Sequence, residues 1–388
     1  MTAPLHGVLV ADFSRVLAGP LATMTLADLG ATVVKVERPG VGDDTRSWGP
    51  PWTADSSAYF ECANRSKYSL ALDLADPHDQ ALAQTLAARA DVVVENFRPG
   101  SLARYGLDYE TVAAANPRAV YCSISGFGSG AGADRPGYDF LVQALGGLMS
   151  ITGDADGEPR KVGVALVDVL TGKDAVIGVL AALAARERTG RGEHVEVDLL
   201  SSLLGGLVNQ AAGYLSTGVA PTRMGNRHPS IAPYETLHCA DGLLAVACGN
   251  DRQFARLSEA LGRPELATDR RFATNPARVA HRDELVDALE SVLRGAPAAH
   301  WEQRLSAAGV PAGLVGDIGQ ALAHAEALGL RPTLELGPGQ VRQIRHPIRY
   351  AGARPATPSA PPRLDEHAAL VRSWLTEPAA APLPHPGH

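Results

Sequence analysis

The chain has 388 residues, 45% of them apolar and 20% charged, and its formal net charge is −7. That length implies two or three domains with a large buried core. The acidic balance argues against a nucleic-acid or membrane-surface partner, each of which needs a basic face, but it leaves room for an anionic small molecule held by a local cluster of cations.

The four cysteines, Cys62, Cys122, Cys239 and Cys248, make no C-x-x-C pair. No zinc or other metal site is expected, and scattered thiols fit a reducing cytoplasm. The opening "MTAPLHGVLVADFSR" lacks the charged and apolar regions of a signal peptide, and no apolar run reaches transmembrane length. The expected location is therefore cytoplasmic.

In chain order, "VLVADF" (8–13) reads as a buried strand and "GPLATMTLADLG" (19–30) as a short helix with Pro20 near its start and Gly30 at its end. Further strands are expected at 32–37, 68–74, 91–96 and 119–125, with helices over 77–90 and 108–115. Strands joined by crossover helices predict an α/β fold with a parallel sheet, whose ligands bind beyond the carboxyl ends of the strands. From about 220 the pattern changes. A loop, "MGNRHPSIAPYETLHCADG", precedes a strand at 243–249 and helices at 251–261, 280–294 and 298–308. This reads as a small α+β domain. Short Pro-interrupted strands and a helix near 365–375 follow.

"GFGSGAGA" (126–133) fits a loose dinucleotide fingerprint, but Pro136 follows where the helix should begin, so a flexible active-site loop is the better reading. The P-loop, H-E-x-x-H and G-x-S-x-G patterns are absent from the sequence. Basic residues gather at three strand ends: Lys35 and Arg38; Arg65 and Lys67; and Arg98 and Arg104 beside Asn96 and Phe97. One such cluster is ordinarily a solvated turn. Three at equivalent places in one sheet could converge on an anionic ligand with a flat part. Asp168, in "VALVDVLTG", interrupts an apolar run, where a carboxylate costs free energy unless paired or neutralised. It can serve as N-cap of a helix over 172–187, and that role is compatible with a catalytic one.

Together, "SRVLAGPLATMTLADLGATVVKVERPGVGDDTR", "NRSKYSLALDL", "ADVVVENFRPG", "NPRAVYCSISGFG", "GYDFLVQALGGLMSITG", "VDVLTG" and "RTGRGEHVEVDLL" resemble the class III coenzyme A-transferases, the CaiB–BaiF group, over roughly residues 5 to 350. The resemblance implies a Rossmann-like large domain built from both ends of the chain and a small middle domain. Two chains would interlock as rings, with the active site between the large domain of one and the small domain of the other. It places the catalytic aspartate on Asp168 and the coenzyme A contacts on Val16, Arg38, Lys67, Asn96, Phe97 and Arg104. Leu17, Trp48, Tyr59, Tyr138, Asp139, Arg227 and His228 are expected around the substrate. No tightly bound cofactor is expected, because the coenzyme A thioester is itself the substrate, with a carboxylic acid as acceptor. The expected boundaries are 1–200 for the first part of the large domain, 201–224 for a linker, 225–325 for the small domain, 326–375 for the return to the large domain and 376–388 for a disordered Pro/Ala-rich tail.

The mechanism implied is covalent. Asp168 attacks the acyl-CoA carbonyl, an anhydride and then an aspartyl-CoA thioester form, and the acceptor carboxylate completes the exchange. Backbone N–H groups near Asp168 would stabilise the oxyanion, and "GFGSGAG" and "MGNRHPS" are candidate covering loops. Acyl-CoA racemases of the same superfamily carry a histidine where Tyr138 stands, and tyrosine, with a pKa of about 10, is a poor proton shuttle. A non-catalytic CoA-binding protein would not need an acid at 168. Formyl-CoA/oxalate transferases have a glutamine at the place of Leu17 and four consecutive glycines near 225–235, so the chain looks more like enzymes pairing succinyl-CoA with dicarboxylates. Arg227 and His228 could then hold a distal carboxylate, the alternative being an ion pair of Arg227 with a partner chain. Gly137 replaces a CoA-contacting lysine of some members, and Arg135 is the candidate to stand in for it.

Overall fold

The valine-rich runs of the first 200 residues form strands buried on both faces. The computed structural model describes residues 2–353, 356–377 and 381–386. In chain order the first elements are β1 (Leu9–Asp12), α1 (Ala18–Asp28), β2 (Thr32–Glu37), α2 (Ala58–Glu61), β3 (Lys67–Ala71), α3 (Pro77–Arg89), β4 (Val92–Glu95), α4 (Tyr109–Ala115) and β5 (Val120–Ser125). Next come α5 (Asp139–Leu145), α6 (Leu166–Thr189), β6 (His194–Asp198), α7 (Leu199–Gly206) and α8 (Val208–Thr217). The six strands make one all-parallel sheet in the order β3-β2-β1-β4-β5-β6. This is the doubly wound α/β arrangement, and its order reverses between β1 and β4. β6, from "EHVEVD", is a strand that the sequence reading did not assign.

Alternate strand residues feed two cores. On one face Val10, Val33, Val92 and Ile124 pack with Leu26 of α1 and Val179 of α6. On the other, Ala11, Val34, Val93 and Tyr121 pack with Leu86 of α3 and with Val371 and Leu383 near the carboxyl terminus.

The chain forms two compact units. One holds the residues up to Leu148, Val162–Thr217 and everything from Arg331 on; the other holds Met149–Lys161 and Gly218–Leu330. The second contains β7 (Tyr234–His238), β8 (Leu243–Ala247) and β9 (Ala312–Leu314) in an antiparallel sheet. Its helices are α9 (Asp251–Ala260), α10 (Asn275–Ala280), α11 (Arg282–Leu293), α12 (Ala298–Ala307) and α13 (Ile318–Ala327). Leu244, Phe254, Leu289 and Leu305 centre its own core. The last elements are β10 (Thr333–Leu334), β11 (Gln343–Ile344) and α14 (Ala368–Thr376).

Three boundaries differ from expectation. The stretch 201–224 is largely helical, being α7 and α8, because Asp198 caps α7 by accepting from Ser201 N–H. The second unit recruits 149–161, for instance through Gly225 N–H donating to Gly153 O at 3.0 Å. The tail expected to be disordered is packed over residues 381–386. Leu383 is buried, Thr32 Oγ1 donates to Leu383 O at 3.2 Å and Tyr68 OH donates to Pro384 O at 3.0 Å. A proline-rich segment has little backbone entropy to lose, so one buried leucine and a few accepted hydrogen bonds suffice to dock it. Residues 378–380, 387 and 388 of that expectation lie outside the described residues. Among the described residues no helix is long and apolar enough to cross a membrane.

Candidate active site

The sheet's reversal brings the loops after β1 and β4 side by side. Arg15 N–H donates to Asn96 Oδ1 at 2.8 Å and Asn96 Nδ2 donates back to Arg15 O at 2.7 Å, so the two loops are clamped at the backbone. Val16 has φ +70°, a strained conformation for a β-branched residue. Its N–H is held by Asp43 at 3.2 Å. Leu17 then precedes α1 as its N-cap residue. α6 comes close to this corner because residue 172 is glycine: a Cβ there would lie 2.7 Å from Ala18 O. Val16, Leu17, Asn96, Phe97, Tyr138 and Asp168 thus line one cavity of about 340 Å³, whose further wall is the glycine-rich loop from Gly126 to Gly137.

Asp168 lies inside the first turn of α6, which begins at Leu166, so it is not the helix cap that the sequence suggested. The capping carboxylate comes from α5. Asp139 Oδ1 accepts from Val167 N–H at 2.8 Å and, more weakly, from Asp168 N–H at 3.4 Å, while Gln143 Nε2 donates to Asp139 Oδ2 at 2.7 Å. Gln143 is fixed in turn by Val162 N–H at 2.9 Å. Asp139, expected at the substrate, is 9% exposed and serves as a cap from another helix. Burial first, and the Asp139 carboxylate second, push the Asp168 carboxyl up to about 7. The other first-turn donors are taken as well: Leu166 N–H by Val164 O at 2.8 Å and Val169 N–H by Ala165 O at 3.1 Å. The N–H groups beside Asp168 are therefore not free for an oxyanion, contrary to expectation.

The basic clusters divide. Lys67 is 1% exposed and spends all three donors inside the protein, on Asp12 Oδ2 (3.0 Å), Pro20 O (2.9 Å) and Asn64 Oδ1 (2.9 Å). Burial, against the opposing pull of Asp12, lowers its ammonium to about 8. Lys35 is likewise buried, against Asp43 Oδ2 and Ser14 O, each at 2.9 Å. Arg65 is buried against Asp28, with a second contact to Gln343 at 3.0 Å. Arg65 and Lys67 stand at the amino end of β3, so they are not equivalent to the basic residues that follow β2 and β4, as the sequence suggested; with Lys35 they are spent on internal ion pairs, and the contact expected between Lys67 and coenzyme A has no side-chain donor left to make it.

The exposed members face a second cavity, of about 620 Å³, whose lining includes Arg15, Arg38, Leu72, Phe97, Arg98 and Arg104. Arg104 lies 4.6 Å from the Tyr105 ring centroid and Arg15 lies 5.1 Å from that of Phe97. The pocket thus combines flat aromatic surface with guanidinium groups. Sequence reasoning missed Arg15 and also Glu95. Glu95 accepts from Phe97 N–H at 2.8 Å, and burial raises its carboxyl to about 7. Both stand at strand ends in the same motifs, which was the available signal.

The remaining expected residues are placed as follows. Trp48 and Tyr59 meet edge to face at 5.2 Å. Burial first, and then the charge of Asp168, raise the Tyr59 phenol to about 12. Tyr138 is 56% exposed at the start of α5. Gly137 crosses Gly126 so closely that a Cβ would fall 2.4 Å from the Gly126 Cα, which bars any side chain there. Arg135 stacks on Phe127 at 4.7 Å and lines the Asp168 cavity. In the other unit Arg227 pairs with Glu235 (3.2 Å) and Asp283 (2.9 Å), acids of its own chain, and His228 Nδ1 accepts from Ser230 N–H at 3.1 Å.

A clamped β1 loop with a strained Val16, a half-buried acid on a helix's first turn and an arginine-lined cleft mark the switch point as the candidate ligand site of a doubly wound α/β protein. The chain belongs to CoA-transferase family III, whose model matches residues 5–368, and it is a CoA-transferase. It is 45% identical to the succinate–glutarate CoA-transferase of Agrobacterium fabrum, covering 96% of both chains. It is also 42% identical to the acetyl-CoA:oxalate CoA-transferase of Acetobacter aceti, covering 97% of both. Among solved structures, that of a CaiB/BaiF family protein from Brucella suis superposes with a TM-score of 0.87 at 46% identity, covering 97% of this chain and 100% of that one.

Proposed function

We propose that the protein moves coenzyme A from succinyl-CoA to a dicarboxylic acid through covalent intermediates on Asp168. The observation that carries this reading is the state of Asp168. It lines the cavity at the sheet's switch point, and burial beside Asp139 holds its carboxyl near 7. A carboxylate that is poorly solvated and more basic than usual is the better nucleophile.

Ionised Asp168 attacks the thioester carbonyl. The C–S bond breaks, an aspartyl–succinyl anhydride forms, and the CoA thiolate leaves but stays bound. The thiolate attacks the aspartyl carbonyl, releasing succinate and leaving an aspartyl-CoA thioester. The acceptor carboxylate attacks that thioester and forms a second anhydride, and the thiolate takes the acceptor's acyl group, which regenerates Asp168. Because α6's first-turn N–H groups are occupied, oxyanion stabilisation falls to the other cavity walls, the glycine-rich loop among them. Arg227, committed to Glu235 and Asp283, would have to exchange partners to bind a distal carboxylate. The interlocked homodimer belongs to this proposal. The exposure of Leu204, Val208 and Leu215 on α7 and α8 supports a protein partner there.

The relatives carry glutarate and oxalate in their names, so the acceptor panel must hold both. Purified protein, succinyl-CoA and a set of mono- and dicarboxylates are followed by mass spectrometry of CoA esters. The expected result is a new acyl-CoA with a dicarboxylate, lost by at least about 1000-fold in Asp168→Ala, together with hydroxylamine trapping at Asp168 in the wild type alone. Proton exchange in a 2-methylacyl-CoA without transfer, or transfer that survives in Asp168→Ala, refutes the reading.

A further inference from the structure

α5 packs inside out. Its apolar residues Phe140, Leu141 and Leu145 are exposed, while Asp139 and Gln143, one turn apart, are buried with Val142. Burying an amide against a carboxylate costs more than burying an apolar pair, so packing alone does not account for the choice. The hydrogen bonds do. Gln143 is fully buried, and its Oε1 accepts from Val162 N–H at 2.9 Å. Its Nε2 then faces Asp139 Oδ2 at 2.7 Å and, more weakly, Val164 O at 3.4 Å. The amide cannot be turned over, because Oε1 would then meet two acceptors and Nε2 a donor.

The other carboxylate oxygen, Asp139 Oδ1, accepts from Val167 N–H at 2.8 Å and from Asp168 N–H at 3.4 Å. A proton on either oxygen would displace a donor already there, so these are the hydrogen bonds of an ionised carboxylate. Two acids this close do not both ionise readily. With Asp139 held as the anion, the proton that the pair retains belongs to Asp168. Asp168 is met by Asp139 from α5 and by Tyr59 from α2. The cavity it lines adds Arg15, Arg98, Arg135 and Tyr138, and its own helix carries Lys173 and Asp174, both exposed. Other groups on the elements packed against α6 are engaged elsewhere: Asp28 of α1 with Arg65, Tyr121 of β5 with Leu107 O, and His194 and Asp198 of β6 with Ser123 and the start of α7.

We propose that Gln143 is a positioning residue for the reacting acid: its amide holds Asp139 as an oriented anion over the first turn of α6, and so fixes both the seat of Asp168 and which of the two acids keeps the proton. The inference rests on the covalent reading of Asp168. Gln143 is not among the residues that line the Asp168 cavity, so it acts through Asp139. Both oxygens of Asp139 are occupied by donors, which leaves Asp168 as the nucleophile of the pair.

The test follows CoA transfer by the wild type, Gln143→Leu and Gln143→Glu across pH, with thermal melts to establish that each variant is folded. Gln143→Leu should lower kcat by about tenfold or more, with KM for the acyl-CoA within about threefold of the wild type. Its acid limb should move to lower pH, because the proton can then settle on Asp139 and leave Asp168 ionised. Gln143→Glu donates only while protonated, so its rate should fall again at alkaline pH, a bell in place of the wild type's plateau. An unaltered pH profile in a folded variant, whatever its rate, makes Gln143 a packing residue and overturns the proposal. An infrared titration needs neither variant. It should show a protonated-carboxyl band in the wild type that Asp168→Asn lacks, and a spectrum that Asp168→Asn leaves intact overturns the proposal as well. If the wild type transfers nothing, or transfer survives in Asp168→Ala, the proposed function fails, and the infrared bands still decide which acid keeps the proton. If transfer requires Asp168 and the Gln143 variants keep the wild-type profile, only this inference fails.

Discussion

Asp12 and Asp168 are both acids withdrawn from water close to a helix start, yet their carboxyls move in opposite directions. Burial alone would raise the Asp12 carboxyl, but Lys67, Lys35 and the hydroxyls of Ser14 and Thr23 outweigh it and bring the carboxyl down to about 2. Asp168 meets burial and a second carboxylate, and rises to about 7. The Asp12 site is a completed ion cluster that ties β1, β3 and α1 together. The Asp168 site is left electrostatically unfinished, which costs stability and, in the mechanism proposed above, would keep a more basic carboxylate for attack at neutral pH. A buried charge is therefore a sign of function only when its neighbours fail to satisfy it.

The widest break in this contrast comes from removing a partner on the satisfied side. Lys67→Ala leaves Asp12 buried without its nearest cation and should cost about 3–5 kcal/mol in urea unfolding. A variant as stable as the wild type with weakened CoA binding would instead return Lys67 to the ligand. On the unsatisfied side the sign reverses. The folded carboxyl of Asp168 titrates at about 7 against an ordinary 3.8. Its neutral form is therefore favoured by folding. That contribution is full below 3.8 and is lost as pH rises through about 7. At pH 8 Asp168→Asn removes the penalty and should stabilise the protein by about 1–3 kcal/mol, with about 4 kcal/mol as the ceiling set by the shift. At pH 4 the gain should vanish, and a variant no more stable at pH 8 than the wild type would contradict this account of a desolvated acid. The finest adjustment is Asp139→Asn. Removing the like charge should move the acid limb of the transfer rate to lower pH by less than about one unit, because burial, the larger cause, stays. A limb that does not move would show that Asp139 acts on Asp168 as a cap alone.

Much of the sheet was legible because parallel strands covered on both faces must be apolar, and runs such as "TVVKVE" and "DVVVE" are. The places where chemistry gathers were legible too, since ligands of such sheets meet the strand ends. What the sequence could not reveal was which way a strand-end cation points. Lys67 and Arg104 read alike as basic residues beside a turn, but Asp12, 55 residues earlier, draws Lys67 inward, while Arg104 stacks on Tyr105 and lines the open cleft. The start of α6 was misplaced for the same reason. Its cap is Asp139, 29 residues before Asp168, so no local signal marks it.

The residue order by itself determined the strands, the alternation with helices, the family likeness and the oddity of an acid at 168. Tertiary structure decided which charges are spent on holding the loops and which remain for a ligand. That choice depends on distances between residues far apart in the chain, because Coulomb energy and desolvation are set by neighbours in space and not by neighbours in sequence.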